Sequence, residues 1–227
     1  MIMEEKPQQK ILRSVENLIN SDRVLNFSDG VFAFAATLLV LKIDLPALSP
    51  VEINSGRLSQ ELLNLWPQYF ANIVSFLIIG YYWLTHHAIF TLIKKFDPVI
   101  IWLNIIFLVF ISFVPFPVDL FGDYSNSQII VIFYCASLAA VGLLLAAIWL
   151  YASGNHRLIE ENLSGRHILY YSCRFLLAPI VFLLSIPLVF IDPLVAKISW
   201  VFVLIGIVVI NRAFNLKKIS TIDRETI

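Results

Sequence analysis

The chain has 227 residues, of which 59% are hydrophobic and only 14% are charged, and its formal net charge is zero. A soluble domain carries about a quarter of charged residues, so this composition, together with a mean hydropathy of +0.83, excludes a soluble enzyme domain. No basic patch is present, which excludes nucleic acid as a partner. Cys135 and Cys173 both lie in apolar runs and indicate neither a disulfide nor a metal site. We therefore expect an all-α, polytopic membrane protein.

Hydropathy predicts six transmembrane helices, because a helix needs about 20 residues to cross a bilayer. A polar arm (1–20) without the apolar core of a signal peptide precedes them, and a basic tail (213–227) follows the six-span domain (21–212). Pro115 and Pro117 are expected to end the third span, since proline interrupts a helix. The predicted spans cover residues 23–43, 65–93, 98–118, 128–151, 168–191 and 194–210.

The distribution of basic residues predicts the orientation of these spans. Loops that remain in the cytoplasm are enriched in lysine and arginine, and here the side that holds both termini carries most of them. We therefore expect a multi-pass protein of a bacterial-type plasma membrane, with cytoplasmic N- and C-termini. The basic residues on that side are Lys6, Lys10, Arg13, Arg23, Lys94, Lys95, Arg157, Arg166, Arg212, Lys217, Lys218 and Arg224. Only Lys42, Arg57 and Lys197 fall on the opposite side.

Span one carries a stripe of residues on one side of the predicted helix, at about 100° per residue. The stripe is almost wholly apolar, narrow at a glycine, bulky at a phenylalanine and interrupted by one hydroxyl. It is typical either of a helix-packing seam or of a pore wall with a hydrophobic constriction, and the pattern does not choose between them. A pore would require several copies of the chain, because one stripe cannot enclose it. The stripe comprises Arg23, Phe27, Gly30, Phe34, Thr37, Leu38 and Leu41.

Most polar groups within the first three spans lie toward their cytoplasmic ends. An unpaired carboxylate in a membrane is costly, so we expect Asp29 to accept a hydrogen bond from His86 or His87, with Trp83 or Asn104 nearby. Such a group can act as a latch that joins spans one, two and three, or as a proton relay. A metal site is not expected, because adjacent histidines on a helix point about 100° apart and no further ligand lies at helical spacing.

The sequence contains no catalytic or filter motif. It lacks a nucleophile elbow and a phosphate-binding glycine loop, so no enzymatic activity and no cofactor are expected. It also lacks the re-entrant filter segment of P-loop channels. A channel built from this chain would therefore have to use a transmembrane helix to line its narrowest part.

The motif R-x-x-x-F-S-D-G-V-F-A-x-A-A-T-L-L-V-L, from Arg23 to Leu41, resembles the first-helix signature of the transmembrane protein 175 family of endolysosomal-type potassium channels and their prokaryotic six-span relatives. The similarity continues through the second-span pattern from Ser75 to Phe90 and through the third span around Asn104. It covers the first half of the chain closely and the rest only by the number of spans.

The resemblance implies a potassium-preferring leak channel without a P-loop, in which span one of four identical subunits lines the pore. By position, Phe34 would form the hydrophobic constriction and Thr37 would place a ring of hydroxyls beside passing potassium ions, with Leu38 and Leu41 as further apolar layers. One departure is Phe34 itself, where the family usually has isoleucine or leucine. The residues implied to orient span one are Arg23, Ser28, Asp29, Trp83, His86, His87 and Asn104.

Two functions from different classes follow from these observations. The first is a homotetrameric potassium-preferring cation channel in a lipid bilayer. The alternative is a proton-coupled secondary transporter that uses Asp29 with His86 and His87. A transporter of that kind often contains an internal repeat, and the two halves of this chain show no convincing similarity.

Overall fold

A computed structural model describes residues 21–41, 43, 47–54 and 56–214, apart from the side chains of residues 21, 52 and 54. Six of its helical segments are long and apolar enough to cross a membrane. The predicted all-α class with six transmembrane helices is therefore confirmed, and the chain is a multi-pass membrane protein. The predicted arm (1–20) and most of the predicted tail (215–227) lie outside the described residues, so the proposed division into arm, domain and tail stays a prediction.

Ten α-helices make up the described part of the chain. Some spans contain two of them in succession, and the segment 44–63, predicted as a loop, contains two short ones. The helices are α1 (Ser21–Val40), α2 (Pro50–Asn54), α3 (Arg57–Asn64), α4 (Trp66–Leu92), α5 (Pro98–Phe113), α6 (Pro115–Tyr124), α7 (Gln128–Ser153), α8 (Gly165–Val189), α9 (Pro193–Ser199) and α10 (Val201–Phe214).

The third span continues past the two prolines that were expected to end it. Val114 keeps helical backbone angles (φ −52°, ψ −38°) between α5 and α6, and Pro115 then occupies the first turn of α6, which runs on to Tyr124. Proline is tolerated there because a first-turn N–H has no partner within its own helix. The expectation that these prolines end the helical segment is therefore wrong, and the segment long and apolar enough to cross a membrane is Pro98–Tyr124. The first helix differs in the other direction and ends at Val40 rather than at residue 43.

The helices pack around α7, which is the most buried of the six segments. Its contact with α8 is very close at Gly142, where an added Cβ would lie 2.8 Å from Cδ of Pro179. The Pro179 ring thus packs into a space that only glycine leaves open. By contrast, α9 and α10 form the least buried segment and pack mainly against α8.

A strap formed by residues 154–164 fastens the end of α7 to the turn between α4 and α5. The amides of Lys94 and Lys95 both donate to the carbonyl oxygen of Leu158, at 2.8 and 3.2 Å. Asp97 accepts from the backbone amide of Ile100 at 2.9 Å and so caps α5. The same carboxylate accepts from the Tyr151 hydroxyl at 2.6 Å and pairs with Arg157 at 3.8 Å.

These contacts set the ionisation of Asp97. Partial burial alone would raise its pKa, but the hydrogen bonds from Tyr151 and Ile100 and the charge of Arg157 outweigh this effect and lower the pKa below the ordinary 3.8. The carboxylate therefore stays ionised at neutral pH.

Candidate pore-lining helix and its polar anchor

Helix α1 has one face that is buried within its own subunit. Ser28, Phe32, Ala35 and Leu39 follow one another at intervals of three or four residues, as the face of a helix does, and each is at most 3% exposed. This face packs against α4, α5 and α6. One subunit therefore holds α1 through a single continuous stripe.

The opposite face of α1 is the stripe that the sequence analysis singled out, and the subunit leaves it uncovered. Phe27 and Phe34 are each 62% exposed and Leu41 is 70% exposed. Gly30 and Thr37 are exposed as well, whereas Leu38 is half-buried at the border between the two faces.

The Thr37 hydroxyl has a defined orientation on this exposed face. It donates to the carbonyl oxygen of Phe34, one turn earlier, at 2.9 Å. Because its hydrogen is used within the helix, the hydroxyl oxygen presents lone pairs to whatever lies in front of it.

A buried chain of hydrogen bonds joins α1 to α5 and α4. Ser28 Oγ donates to the Val24 carbonyl at 2.8 Å and accepts from Nδ2 of Asn104 at 3.0 Å. Oδ1 of Asn104 lies 2.9 Å from Nε2 of His86. Since the amide nitrogen of Asn104 is the donor to Ser28, its oxygen must accept from His86, which places the imidazole hydrogen on Nε2. All three side chains are at most 2% exposed.

Aromatic rings hold the His86 imidazole in place. Phe90 stacks on it with ring centroids 4.3 Å apart, Phe107 stacks at 5.5 Å, and Phe32 meets it edge-on at 5.6 Å. Its Nδ1 is buried and has no hydrogen-bond partner among the described residues. These three rings were not among the residues predicted from the sequence, although Phe32 and Phe90 each lie four residues beyond a member of the buried hydrogen-bond chain and so share its helix face.

Asp29 has a different partner from the one expected. Its carboxylate accepts from Nε1 of Trp83 at 2.8 Å, so the prediction of a histidine donor is wrong. The Nε2–H of His86 already donates to Oδ1 of Asn104, and His87 packs against the Trp83 ring with centroids 6.2 Å apart. Among the described residues, no hydrogen bond connects His87 or the exposed Arg23 to the Ser28–Asn104–His86 series. The expected network is therefore two separate contacts between α1 and its neighbours.

A wide, open cavity of about 710 Å³ lies beside the Asp29–Trp83 pair, between α1 and α4. Its walls are almost wholly apolar, formed by residues such as Phe76, Gly80 and Leu84. Among the described residues, Asp29 is the one charged residue that lines it.

Comparison with known proteins identifies the part of the chain that contains α1, α4 and α5. Residues 23–115 match the family model described as "Endosomal/lysosomal potassium channel TMEM175". A protein of Chamaesiphon minutus named as a potassium channel is 32% identical over 173 residues, which are 75% of this chain and 84% of that protein. The Gallus gallus protein named as the endosomal/lysosomal proton channel TMEM175 is 34% identical over 116 residues, which are 48% of this chain and 23% of that protein.

A solved structure agrees with the fold over a longer stretch. The crystal structure of a lysosomal potassium-selective channel TMEM175 homolog from Chamaesiphon minutus superposes with a TM-score of 0.71 and 28% sequence identity. The match covers 84% of this chain and 98% of the other. The similarity thus extends well beyond the residues of the family model.

Proposed function

Because the chain belongs to the TMEM175 family, we propose that it is a potassium-preferring cation channel of the leak type, without a P-loop filter. Four copies surround an axis in a bacterial-type plasma membrane, and α1 of each copy lines the pore. The distribution of lysine and arginine along the sequence supports cytoplasmic termini.

The uncovered face of α1 is the observation that carries this proposal. Phe27, Phe34 and Leu41 are apolar and largely exposed, while the other face of the same helix is fully packed. A helix held on one side only, with an apolar face that contains a single hydroxyl, suits the wall of a shared pore. In that arrangement Phe34 forms a hydrophobic constriction that closes by dewetting.

Thr37 supplies the contact that a cation needs next to such a constriction. Its hydroxyl oxygen has already given its hydrogen to Phe34, so it offers lone pairs that replace part of the hydration shell of an ion. Four such oxygens around an axis favour cations over anions. Leu38 and Leu41 extend the apolar lining toward the outer end, although Leu38 contributes only its exposed edge.

Reconstitution into liposomes tests the proposal directly. Reversal potentials in potassium–sodium gradients should lie toward the potassium equilibrium potential, and chloride should carry no current. Thr37→Ala should move the reversal potential toward that of sodium, because the hydroxyl lone pairs are lost. Absence of current, or equal permeability to chloride, contradicts channel function.

A matched control separates loss of the hydroxyl from loss of a threonine in general. Thr91 also donates its hydroxyl to a backbone carbonyl of its own helix, that of His87, at 2.8 Å, and is exposed on α4. Thr91→Ala should leave the reversal potential unchanged. An equal shift in both variants would show that Thr37 has no special contact with the ion.

Proton-coupled transport is the second candidate, favoured by the position of Asp29 on the wall of the 710 Å³ cavity. Liposomes loaded with a pH-sensitive dye distinguish it from a potassium leak. A transporter predicts saturable proton flux that Asp29→Asn abolishes, whereas a channel predicts that potassium current persists in this variant. Non-saturating proton flux would instead indicate a pore that also conducts protons.

A further inference from the structure

Arg174 is a charged side chain in the cytoplasmic part of the fifth span, away from α1. It lies nine residues after the start of α8, about 13 Å along a helix that rises about 1.5 Å per residue. Its Nη1 donates to the Tyr170 hydroxyl at 2.9 Å and to Oδ1 of Asn211 at 3.3 Å. The Tyr170 hydroxyl in turn donates to the same Asn211 oxygen at 2.9 Å. We call Arg174, Tyr170 and Asn211 the arginine cluster.

The acceptors in this cluster are neutral, so they do not balance the charge. Arg174 takes part in none of the ion pairs among the described residues. The acids of the strap lie before α8, and Glu160 is already paired with Lys94 at 3.5 Å. A guanidinium at membrane depth requires a counter-charge or access to water, and the part of the subunit that the structure describes provides no carboxylate for it.

The cluster lies beside an apolar surface that the single subunit leaves exposed. Asn211 belongs to α10, the least buried of the membrane helices. The preceding turns of that helix expose Leu204, Val208 and Val209, each at least half exposed. Leu169, beside Tyr170, is 56% exposed. Acyl chains can therefore pack along the surface that leads to the guanidinium.

Further positive charge lies at the same end of the same two helices. Arg166 lies in the first turn of α8 and reaches α10, where Nη2 donates to the Phe214 carbonyl at 3.4 Å. Arg212 is in the last turn of α10, next to Asn211. Basic groups between helices on the cytoplasmic side attract anionic lipid headgroups, and the planar guanidinium matches the two oxygens of a phosphodiester.

We propose that the arginine cluster binds the headgroup phosphate of an anionic phospholipid from the cytoplasmic leaflet, with Arg174 as the direct ligand. Tyr170 and Asn211 are positioning residues that hold one side of the guanidinium, so that its remaining N–H groups point to the phosphate. The leaflet follows from the proposed orientation, but the binding itself depends neither on ion selectivity nor on which ion is carried.

Native mass spectrometry of the detergent-purified full-length protein tests the proposal, with phosphatidylglycerol as the probe and phosphatidylcholine as the zwitterionic reference. Wild-type protein should retain phosphatidylglycerol in preference to phosphatidylcholine. Arg174→Gln should weaken phosphatidylglycerol binding by about tenfold or more, since the two-pronged charged contact is lost. The control is Lys197→Gln, which removes one positive charge from the opposite end of the sixth span and should leave binding unchanged. Equal binding of the two lipids, or unchanged binding in Arg174→Gln, overturns the proposal.

Three further measurements separate the proposed lipid contact from a loss of folding, from binding of a soluble anion and from occupancy by the tail. If Arg174→Gln does not fold, Arg174→Lys keeps the positive charge but not the planar guanidinium, and it should bind phosphatidylglycerol several-fold more weakly. Wild-type affinity in this variant overturns the proposed contact. Thermal stabilisation by inorganic phosphate equal to that by phosphatidylglycerol would indicate a soluble anion. Deletion of residues 215–227, which include Asp223 and Glu225, should leave lipid binding unchanged. Binding that appears only after this deletion would show that the tail is the occupant.

Discussion

Replacement of Asn104 by leucine should disconnect the buried contact that holds α1 on α5 and α4. The variant keeps nearly the same side-chain volume but loses both hydrogen bonds, to Ser28 at 3.0 Å and to His86 at 2.9 Å. Ser28 is little affected, because its hydroxyl still donates to the Val24 carbonyl. His86 is left with a buried Nε2–H that has no acceptor.

The expected loss of stability follows from this difference between His86, which loses its acceptor, and Ser28, which keeps one partner. An unsatisfied buried donor costs about 1–3 kcal/mol, and an ordinary hydrogen bond contributes about 0.5–1.5 kcal/mol. Asn104→Leu should therefore lower the free energy of unfolding by about 2–4 kcal/mol. Ser28→Ala should cost about 1–2 kcal/mol, because it leaves only the Asn104 amide without its acceptor.

A double-mutant cycle between the two positions tests this accounting. Once Asn104 is leucine, Ser28→Ala removes only the hydrogen bond to the Val24 carbonyl and should cost about 1 kcal/mol less than in the wild type. The free energies are measured by unfolding in mixed micelles with increasing dodecyl sulfate, with single-channel recording of the same variants. Additive effects of the two substitutions would refute the hydrogen-bond chain, and unchanged open probability in Asn104→Leu would show that the chain does not orient α1.

Three other substitutions test separate features. Phe34→Ala should raise basal conductance in planar bilayers several-fold, because the aromatic ring one turn before Thr37 is lost; unchanged conductance would remove Phe34 from the constriction. Gly142→Ala should cost about 1–3 kcal/mol of stability, since the new Cβ would lie 2.8 Å from the Pro179 ring, and wild-type stability would show that α7 and α8 adjust freely. Asp97→Asn keeps an N-cap for α5 but removes the charge, so it should lower thermal stability at pH 7. In the wild type the lowered pKa of Asp97 means that its charge stabilises the fold above pH 3.8 and that this contribution is lost as the pH falls below that value. The thermal stabilities of the two proteins should therefore converge at low pH, and a difference that stays constant with pH would contradict a stabilising charge on Asp97.

The sequence alone predicted the number of spans and which residues share the stripe of α1, because hydropathy and helical periodicity are local properties, but it did not decide whether that stripe is packed or exposed. The stripe through Phe34 and Thr37 could be read from a helical wheel without knowledge of any neighbour. The partner of Asp29 could not be read in this way. Trp83 and His86 lie three residues apart on α4, and only the rotation and depth of α4 against α1 decide which of them reaches the carboxylate.

The errors at Pro115 and in the segment 44–63 have a related origin. Proline is incompatible with a helix interior but suits a first turn, and the sequence alone does not show which of these positions a given proline occupies. The arginine cluster was missed because Asn211 lies just beyond the predicted sixth span (194–210). The interval of four residues between Tyr170 and Arg174 was visible, but their shared acceptor was not.

The strap between α7 and α8 couples two parts of the molecule that are far apart in the chain. Both amides that donate to the Leu158 carbonyl belong to the turn that joins α4 to α5, the helices that carry His86 and Asn104. Displacement of the strap would leave these two amides without their acceptor and would free the ends of α4 and α5, the helices that hold α1. A molecule that binds the strap would therefore act on the two helices that hold α1 without contacting α1 itself.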